Sequence, residues 1–235
     1  MEPLTFALDG PNKNALSSGL MRRLREELRE AGGRPILLTG TGGAFSAGVD
    51  LKEVLGFDAA GARAFLTLIE EMAGELFAYP GPTVAYVNGH AIAGGTVLAL
   101  CCDFRVAADD PEILIGLNEV ALGVPFPPAV LKLVGHRVPR RHLEEVVLGA
   151  ALFPPTEACM LGLVDEVAAD GAVAALRHLD GLARQPATAY AAAKQGLRAG
   201  VLAVSAEERR RFEEEDLPIW TSEPLRERIR AYLAW

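Results

Sequence analysis

The chain has 235 residues, half of them hydrophobic and 23% charged, which fits one packed domain with at most a helical appendage. A formal charge of −8 argues against nucleic acid or an anionic membrane as the main partner, while leaving room for a local anion site. Three cysteines lack disulfide or metal-ligand spacing, so no metal is expected, and the adjacent Cys101-Cys102 reads as buried packing.

The start, Met1-Glu2-Pro3-Leu4, has neither a basic nor an apolar leader, so a cytoplasmic protein is expected. Residues 4–8 read as a short strand, and Asp9-Gly10-Pro11-Asn12-Lys13 as a turn. Ser17 or Ser18 caps a helix whose apolar face is Leu20, Met21, Leu24 and Leu28, stopped by Gly32-Gly33. Pro35 to Gly40 is a buried strand. Ala44 to Leu51 is a strand-to-loop passage. Asp58 caps a helix over 59–78, ended by Pro80-Gly81-Pro82. Thr83 to Val87 is a strand that feeds, through a turn, a small apolar helix opened by Gly94-Gly95. Phe104–Ala108 and Ile113–Ile115 are strands. From Pro139 onward the pattern is helical: 139–149, 155–161, 171–184, 186–199, 205–215 and 222–234, with a short extended piece at 163–167. Strands and helices alternate at a spacing of roughly 45 residues, which predicts an α/β superhelix with helices outside. The division is a core over 1–170 and a helical region over 171–235 that packs on a neighbour and stands apart from the site.

Two features bear on chemistry. Gly94-Gly95 at a helix start bares N–H groups that favour negative charge, although such a pair also serves as a plain packing device. Glu119 lies between Ile113-Leu114-Ile115-Gly116-Leu117 and Val120-Ala121-Leu122-Gly123-Val124. A carboxylate among so many apolar neighbours is costly unless paired or functional, and burial would raise its pKa towards neutrality. A capping or salt-bridged glutamate is the alternative. Asp50 reads as an N-cap or loop carboxylate, and His90 as a loop histidine. No P-loop, GxGxxG, GxSxG or metal cluster is present.

Four motifs together resemble the crotonase, or enoyl-CoA hydratase/isomerase, superfamily. They are Lys13-Asn14-Ala15-Leu16, Ala44-Phe45-Ser46-Ala47-Gly48-Val49-Asp50-Leu51, Asn88-Gly89-His90-Ala91-Ile92-Ala93-Gly94-Gly95 and Cys102-Asp103-Phe104-Arg105-Val106-Ala107. The resemblance implies a spiral of ββα turns with a C-terminal helical trimerisation region, assembled as a homotrimer or a hexamer of paired trimers. It implies an acyl-CoA thioester substrate, no separate cofactor, and an oxyanion hole made by the N–H groups of Val49 and Gly94. Lys13, Ala15, Leu16, Ala47, Asp50, Leu51 and Gly95 match the substrate-binding segments, with the Ala47 carbonyl meeting the CoA adenine.

Hydratases of the superfamily carry two glutamates. The position of one, three residues after the oxyanion glycine, is Val97 here; the other matches Glu119. Gly116-Leu117-Asn118-Glu119, Gly135-His136-Arg137, Leu152 to Ala158 and Gly162 to Val167 look like the mitochondrial-type Δ3,Δ2-enoyl-CoA isomerases, which use a single glutamate. The expectation is therefore an isomerase of fatty acid degradation with Glu119 as catalytic base. A hydratase, another acyl-CoA enolate-forming enzyme and a non-catalytic acyl-CoA-binding relative are the alternatives. Acyl-chain preference depends on how the 59–78 helix and the C-terminal region pack.

Overall fold

Short apolar runs between the helices pair into two parallel sheets in the computed structural model, which describes residues 2–234. The larger sheet has the order β1 (Leu4–Leu8), β2 (Ile36–Gly40), β4 (Thr83–Val87), β6 (Phe104–Ala108) and β8 (Glu166–Ala168). Leu4 stands opposite Ile36, Ile36 opposite Thr83, Val84 opposite Phe104 and Val106 opposite Glu166. The smaller sheet has the order β3 (Ala44–Ser46), β5 (His90–Ile92) and β7 (Ile115–Gly116). The three middle turns each contribute one strand to each sheet and then helix (β2 and β3, β4 and β5, β6 and β7), while β1 and β8 add to the larger sheet alone. Parallel strands covered on both faces explain the continuous apolar runs such as Val84-Ala85 and Val106-Ala107, all buried. The turns are unequal in length, since the larger sheet's strands begin at 4, 36, 83, 104 and 166. The expected even spacing of about 45 residues does not hold.

Helix signals in the first half are realised closely. Helix α1 (Ser18–Ala31) is capped by Ser17, whose hydroxyl accepts from the Leu20 N–H, and ends at Gly32 with φ 57. Helix α3 (Ala59–Phe77) is capped by Asp58, which accepts from the Gly61 N–H at 2.7 Å. Between them Asp50 caps the short α2 (Leu51–Leu55), accepting from the N–H groups of Lys52 and Glu53. Helix α4 (Gly94–Cys101) is buried from Gly95 to Cys101, and Cys101 and Cys102 have no exposed surface.

Several readings need correction. His90–Ile92, read as turn, is β5, because buried Ala91 pairs with Ser46 and Ile115 on either side. Of the strand expected at 113–115, only Ile115 enters the ladder, joined there by Gly116. A short α5 (Glu119–Leu122) and α6 (Pro128–Arg137) were missed; α6 starts with proline at its first position, a recognised helix opener. The helix expected over 205–215 is α11 (Ala206–Arg211) only. A π-helical turn over Phe212–Asp216 and a 3-10 turn over Leu217–Thr221 follow. The wide turn, closed by the Leu217 N–H on the Phe212 carbonyl, brings Phe212 and Leu217 onto one face, where both are buried.

The remaining helices are α7 (Leu143–Gly149), α8 (Pro155–Met160), α9 (Gly171–Ala183), α10 (Ala187–Arg198) and α12 (Glu223–Leu233). Helix α9 lays Ala174, Ala175 and Leu179 on Leu37, Val84 and Val106 of the larger sheet. Helix α10 is fastened by Asp103. Its carboxylate accepts from the Thr83 N–H (2.7 Å), the Tyr190 hydroxyl (2.7 Å), Lys194 (2.9 Å) and Arg198 (2.6 Å). Burial alone would raise the Asp103 pKa, but Lys194 and Arg198 hold it below the ordinary carboxylate range. Among the described residues, no helix is long and apolar enough to cross a membrane.

Candidate active site

Two backbone crossings bring a pair of N–H groups to one place. Leu16 and Val49 form a parallel bridge in which the Leu16 N–H donates to the Gly48 carbonyl (2.7 Å) and the Asp50 N–H to the Leu16 carbonyl (3.2 Å). In this pattern the Val49 N–H between them faces the opposite side. Gly48 permits the crossing: its φ is +84, and a Cβ there would lie 2.7 Å from the Ile92 carbonyl oxygen and 3.3 Å from the Gly94 nitrogen. On the other chain segment, Ala93 is held at φ 51 and ψ −119, a strained conformation for a residue with a Cβ. It turns the chain so that Gly94 opens α4 with an N–H that has no acceptor within the helix. A Cβ on Gly94 would stand 3.0 Å from Leu16 Cδ1 and 3.7 Å from the Val49 nitrogen. The two N–H groups therefore border the same small space.

Strand β7 brings the acid to that space. The Ala93 N–H donates to the Gly116 carbonyl at 2.8 Å. Thr96 Oγ1 accepts from the Gly116 N–H (3.1 Å) and lies 2.6 Å from the Ala91 carbonyl. These bonds lock the start of α4 to the end of β7, three residues before Glu119. Glu119 opens α5 and is 9% exposed. Its Oε2 is buried and has no hydrogen-bond partner. Burial raises its pKa to about 7, against a smaller lowering by its own backbone N–H. No cation among the described residues pairs with it, so the salt-bridged alternative is not realised.

Val49, Gly94, Val97 and Glu119 line one cavity of about 50 Å³. Val97 is 3% exposed, and Glu119 is the only acid among the lining residues described. Asn118 is the second polar side chain there, and it makes no side-chain cap bond to α5. Leu16 also lines the cavity. The other sequence candidates stand around it. Gly95 packs against β3, where a Cβ would come 2.3 Å from the Ser46 carbonyl oxygen. Asp50 spends its carboxylate on capping α2, and Ala15 is buried. Leu51 packs on the core rim. Exposed Lys13 sits in a left-handed turn with Asn12 and Asn14, and its carbonyl accepts from the Ala47 N–H at 3.0 Å. Asn14 fixes that turn by donating to the Thr41 and Ala44 carbonyls, each at 2.9 Å. His90 is structural: its Nδ1 accepts from the Leu114 N–H.

Lining residues that sequence reasoning missed come from distant segments: Ile69 and Met72 of α3, Val130 of α6, and Trp220 of the 3-10 turn. Trp220 corrects the reading of the C-terminal region as remote from the site. Its indole N–H donates to the Pro125 carbonyl at 3.2 Å, and the side chain is 4% exposed.

The family model for enoyl-CoA hydratase/isomerase matches residues 4–232. The chain belongs to the enoyl-CoA hydratase/isomerase family. Its ββα spiral has the crotonase fold implied by the motifs. The mitochondrial enoyl-CoA delta isomerase 1 of mouse is 41% identical over 136 residues, covering 56% of this chain and 46% of the mouse protein. The chain thus matches about half the length of that relative. The crystal structure of human mitochondrial Δ3,Δ2-enoyl-CoA isomerase superposes with a TM-score of 0.89 at 27% identity, covering 96% of this chain and 90% of that one. The enoyl-CoA hydratase EchA3 of Mycobacterium ulcerans gives a TM-score of 0.80 at 26% identity, covering 92% and 94%. Both names, isomerase and hydratase, therefore occur among proteins of this shape, and the side chains in the cavity must distinguish the two reactions.

Proposed function

We propose that this protein is a Δ3,Δ2-enoyl-CoA isomerase. The thioester oxygen of a 3-enoyl-CoA sits between the N–H groups of Val49 and Gly94. Glu119, as carboxylate, removes a proton from C2. The electron pair left behind spreads over C1 to C4 as a dienolate, whose negative oxygen the two N–H groups hold. Two such donors each contribute roughly 3 kcal/mol to a developing oxyanion. Glu119 then returns the proton to C4, leaving the double bond between C2 and C3. One base suffices because the proton leaves and returns on the same face. A pKa near 7 suits a group that must accept and give back a proton near neutral pH.

The observation that supports isomerisation over hydration is the pairing of Glu119 with Val97. Adding water to C3 calls for a second group to position and activate that water, and position 97 offers only methyl groups. The rest of the lining is mostly apolar, which keeps water from the dienolate. In this reading CoA belongs to the substrate, no further cofactor takes part, and the protein works as a cytoplasmic homotrimer or pair of trimers.

The test is a side-by-side assay of 3-enoyl-CoA and 2-enoyl-CoA. Isomerisation of the first, with slow or no hydration of the second, is expected. Fast hydration of 2-enoyl-CoA without isomerisation would replace this reading with a hydratase. Binding of acyl-CoA without turnover of either would leave a non-catalytic binder.

A further inference from the structure

One part of the cavity wall is supplied by the chain's own C-terminal segment. Leu217–Thr221 lies across α3, and Trp220 stands in the wall together with Ile69, Met72 and Val130. This wall is pinned on several sides. Upstream, Arg209 pairs with Glu70 Oε2 at 2.7 Å, while Glu70 Oε1 accepts from the Ala129 N–H at 3.0 Å and so ties α3 to the start of α6. At the wall itself, the indole N–H holds the Pro125 carbonyl. Downstream, Arg226 donates to the Phe57 carbonyl at 2.9 Å, and the Arg228 guanidinium fills the space beside Gly123, where a Cβ would come 2.5 Å from Nη2. Trp220 is therefore held by bonds before, at and after its position and lacks the freedom of a surface flap.

The space it leaves is small. The cavity of about 50 Å³ takes roughly three to five water-sized groups. A thioester carbonyl at Val49 and Gly94, with C2 to C4 beside Glu119, already uses most of that room. We propose that Trp220 is the specificity-determining residue of the acyl pocket, ending it shortly beyond C4 and confining the enzyme to short-chain enoyl-CoA substrates. This rests on the isomerase reading for its kinetic test but not for its binding test.

The experiment compares kcat/KM for 3-hexenoyl-CoA and 3-dodecenoyl-CoA in the wild type, Trp220→Leu and Trp220→Ala. The wild type is expected to favour the six-carbon substrate at least tenfold. Each folded variant is expected to reduce that ratio tenfold or more by raising turnover of the twelve-carbon substrate. Equal use of both substrates by the wild type, or an unchanged ratio in a folded variant, overturns the proposal. Should neither variant fold, the wild-type ratio still decides. Calorimetric binding of hexanoyl-CoA and dodecanoyl-CoA to the wild type decides independently of catalysis, including the case in which neither 3-enoyl-CoA is isomerised. An open channel would add roughly fourfold in affinity for each further buried methylene. A closed one gives no gain from the six extra methylenes, and a gain of a hundredfold or more would place the wall elsewhere.

Discussion

Replacing Glu119 by Gln should make the protein more stable while abolishing its activity. The Glu119 carboxyl titrates near 4.5 when the chain is unfolded and near 7 in the folded cavity, where burial penalises the charged form. Below pH 4.5 both states hold the proton and the group contributes nothing. Between 4.5 and 7 the unfolded chain releases its proton and the folded chain does not, so wild-type stability falls as pH rises. Above 7 the fall is complete. At 1.36 kcal/mol for each pH unit between the two values, it amounts to about 3 kcal/mol. Glutamine keeps the shape and never ionises, so the variant should match the wild type near pH 4.5 and exceed it by about 3 kcal/mol at pH 8. For a chain of this length that is roughly 6–12 °C in Tm. Thermal melts of both proteins at pH 4.5, 6 and 8 measure the effect. Activity on 3-enoyl-CoA should drop by about 10³-fold in the variant, and wild-type kcat/KM should climb about tenfold per pH unit up to 7 and level off above. A stability difference that stays constant from pH 4.5 to 8 would refute the reasoning, because it would mean that folding does not desolvate the carboxyl.

Three further outcomes follow from the geometry. Gly94→Ala keeps its N–H but places a methyl group 3.0 Å from Leu16 Cδ1 and 3.7 Å from the Val49 nitrogen; the methyl crowds the carbonyl oxygen away from the two donors, so kcat on 3-enoyl-CoA should fall by about 10²-fold, with little change in the far-ultraviolet dichroism. Val97→Glu supplies the second carboxylate, so hydration of 2-enoyl-CoA should become measurable, at a cost of a few kcal/mol for burying the new acid beside Glu119; stable protein with no hydration would show that the missing acid is not what separates the two reactions. Asp103→Asn leaves Lys194 and Arg198 without their shared anion and should cost about 3–5 kcal/mol in denaturant unfolding, with α10 the first segment to lose hydrogen-exchange protection.

Elements governed by local chemistry were legible from the residues alone. Ser17, Asp58 and Gly32 bound helices that fold where those signals stand. Glu119 was found because a carboxylate in an apolar run is conspicuous, and its burial bears this out. Gly94 was singled out by the Gly94-Gly95 helix start, whereas Val49 came only through the motifs, since a backbone N–H leaves no mark in composition or periodicity. Strand β5 escaped because three residues give no period to read, and what makes it a strand is its pairing with two others distant in sequence. Asn118 stood inside a recognised motif but signalled nothing by itself. Trp220 lies about 100 residues from Glu119, between the helices expected over 205–215 and 222–234, where no motif points to it. The π-helical turn that swings it inward depends on where Phe212 and Leu217 find a core to enter, and that is decided by tertiary contact.

The two free N–H groups at the cavity belong to the main chain, while the acid belongs to a side chain. Any residue except proline supplies an N–H, so point mutation leaves that pair in place unless the backbone itself moves. Positions 97, 118 and 119 have no such protection, and a single codon change rewrites each of them. Substitution therefore acts on the halves of the cavity differently: the main-chain half keeps its donors, while the proton-handling half changes with every side chain placed there. A library randomised at those three positions, over an unaltered backbone, would sample new reactions on the same thioester without first having to rebuild the means of holding it.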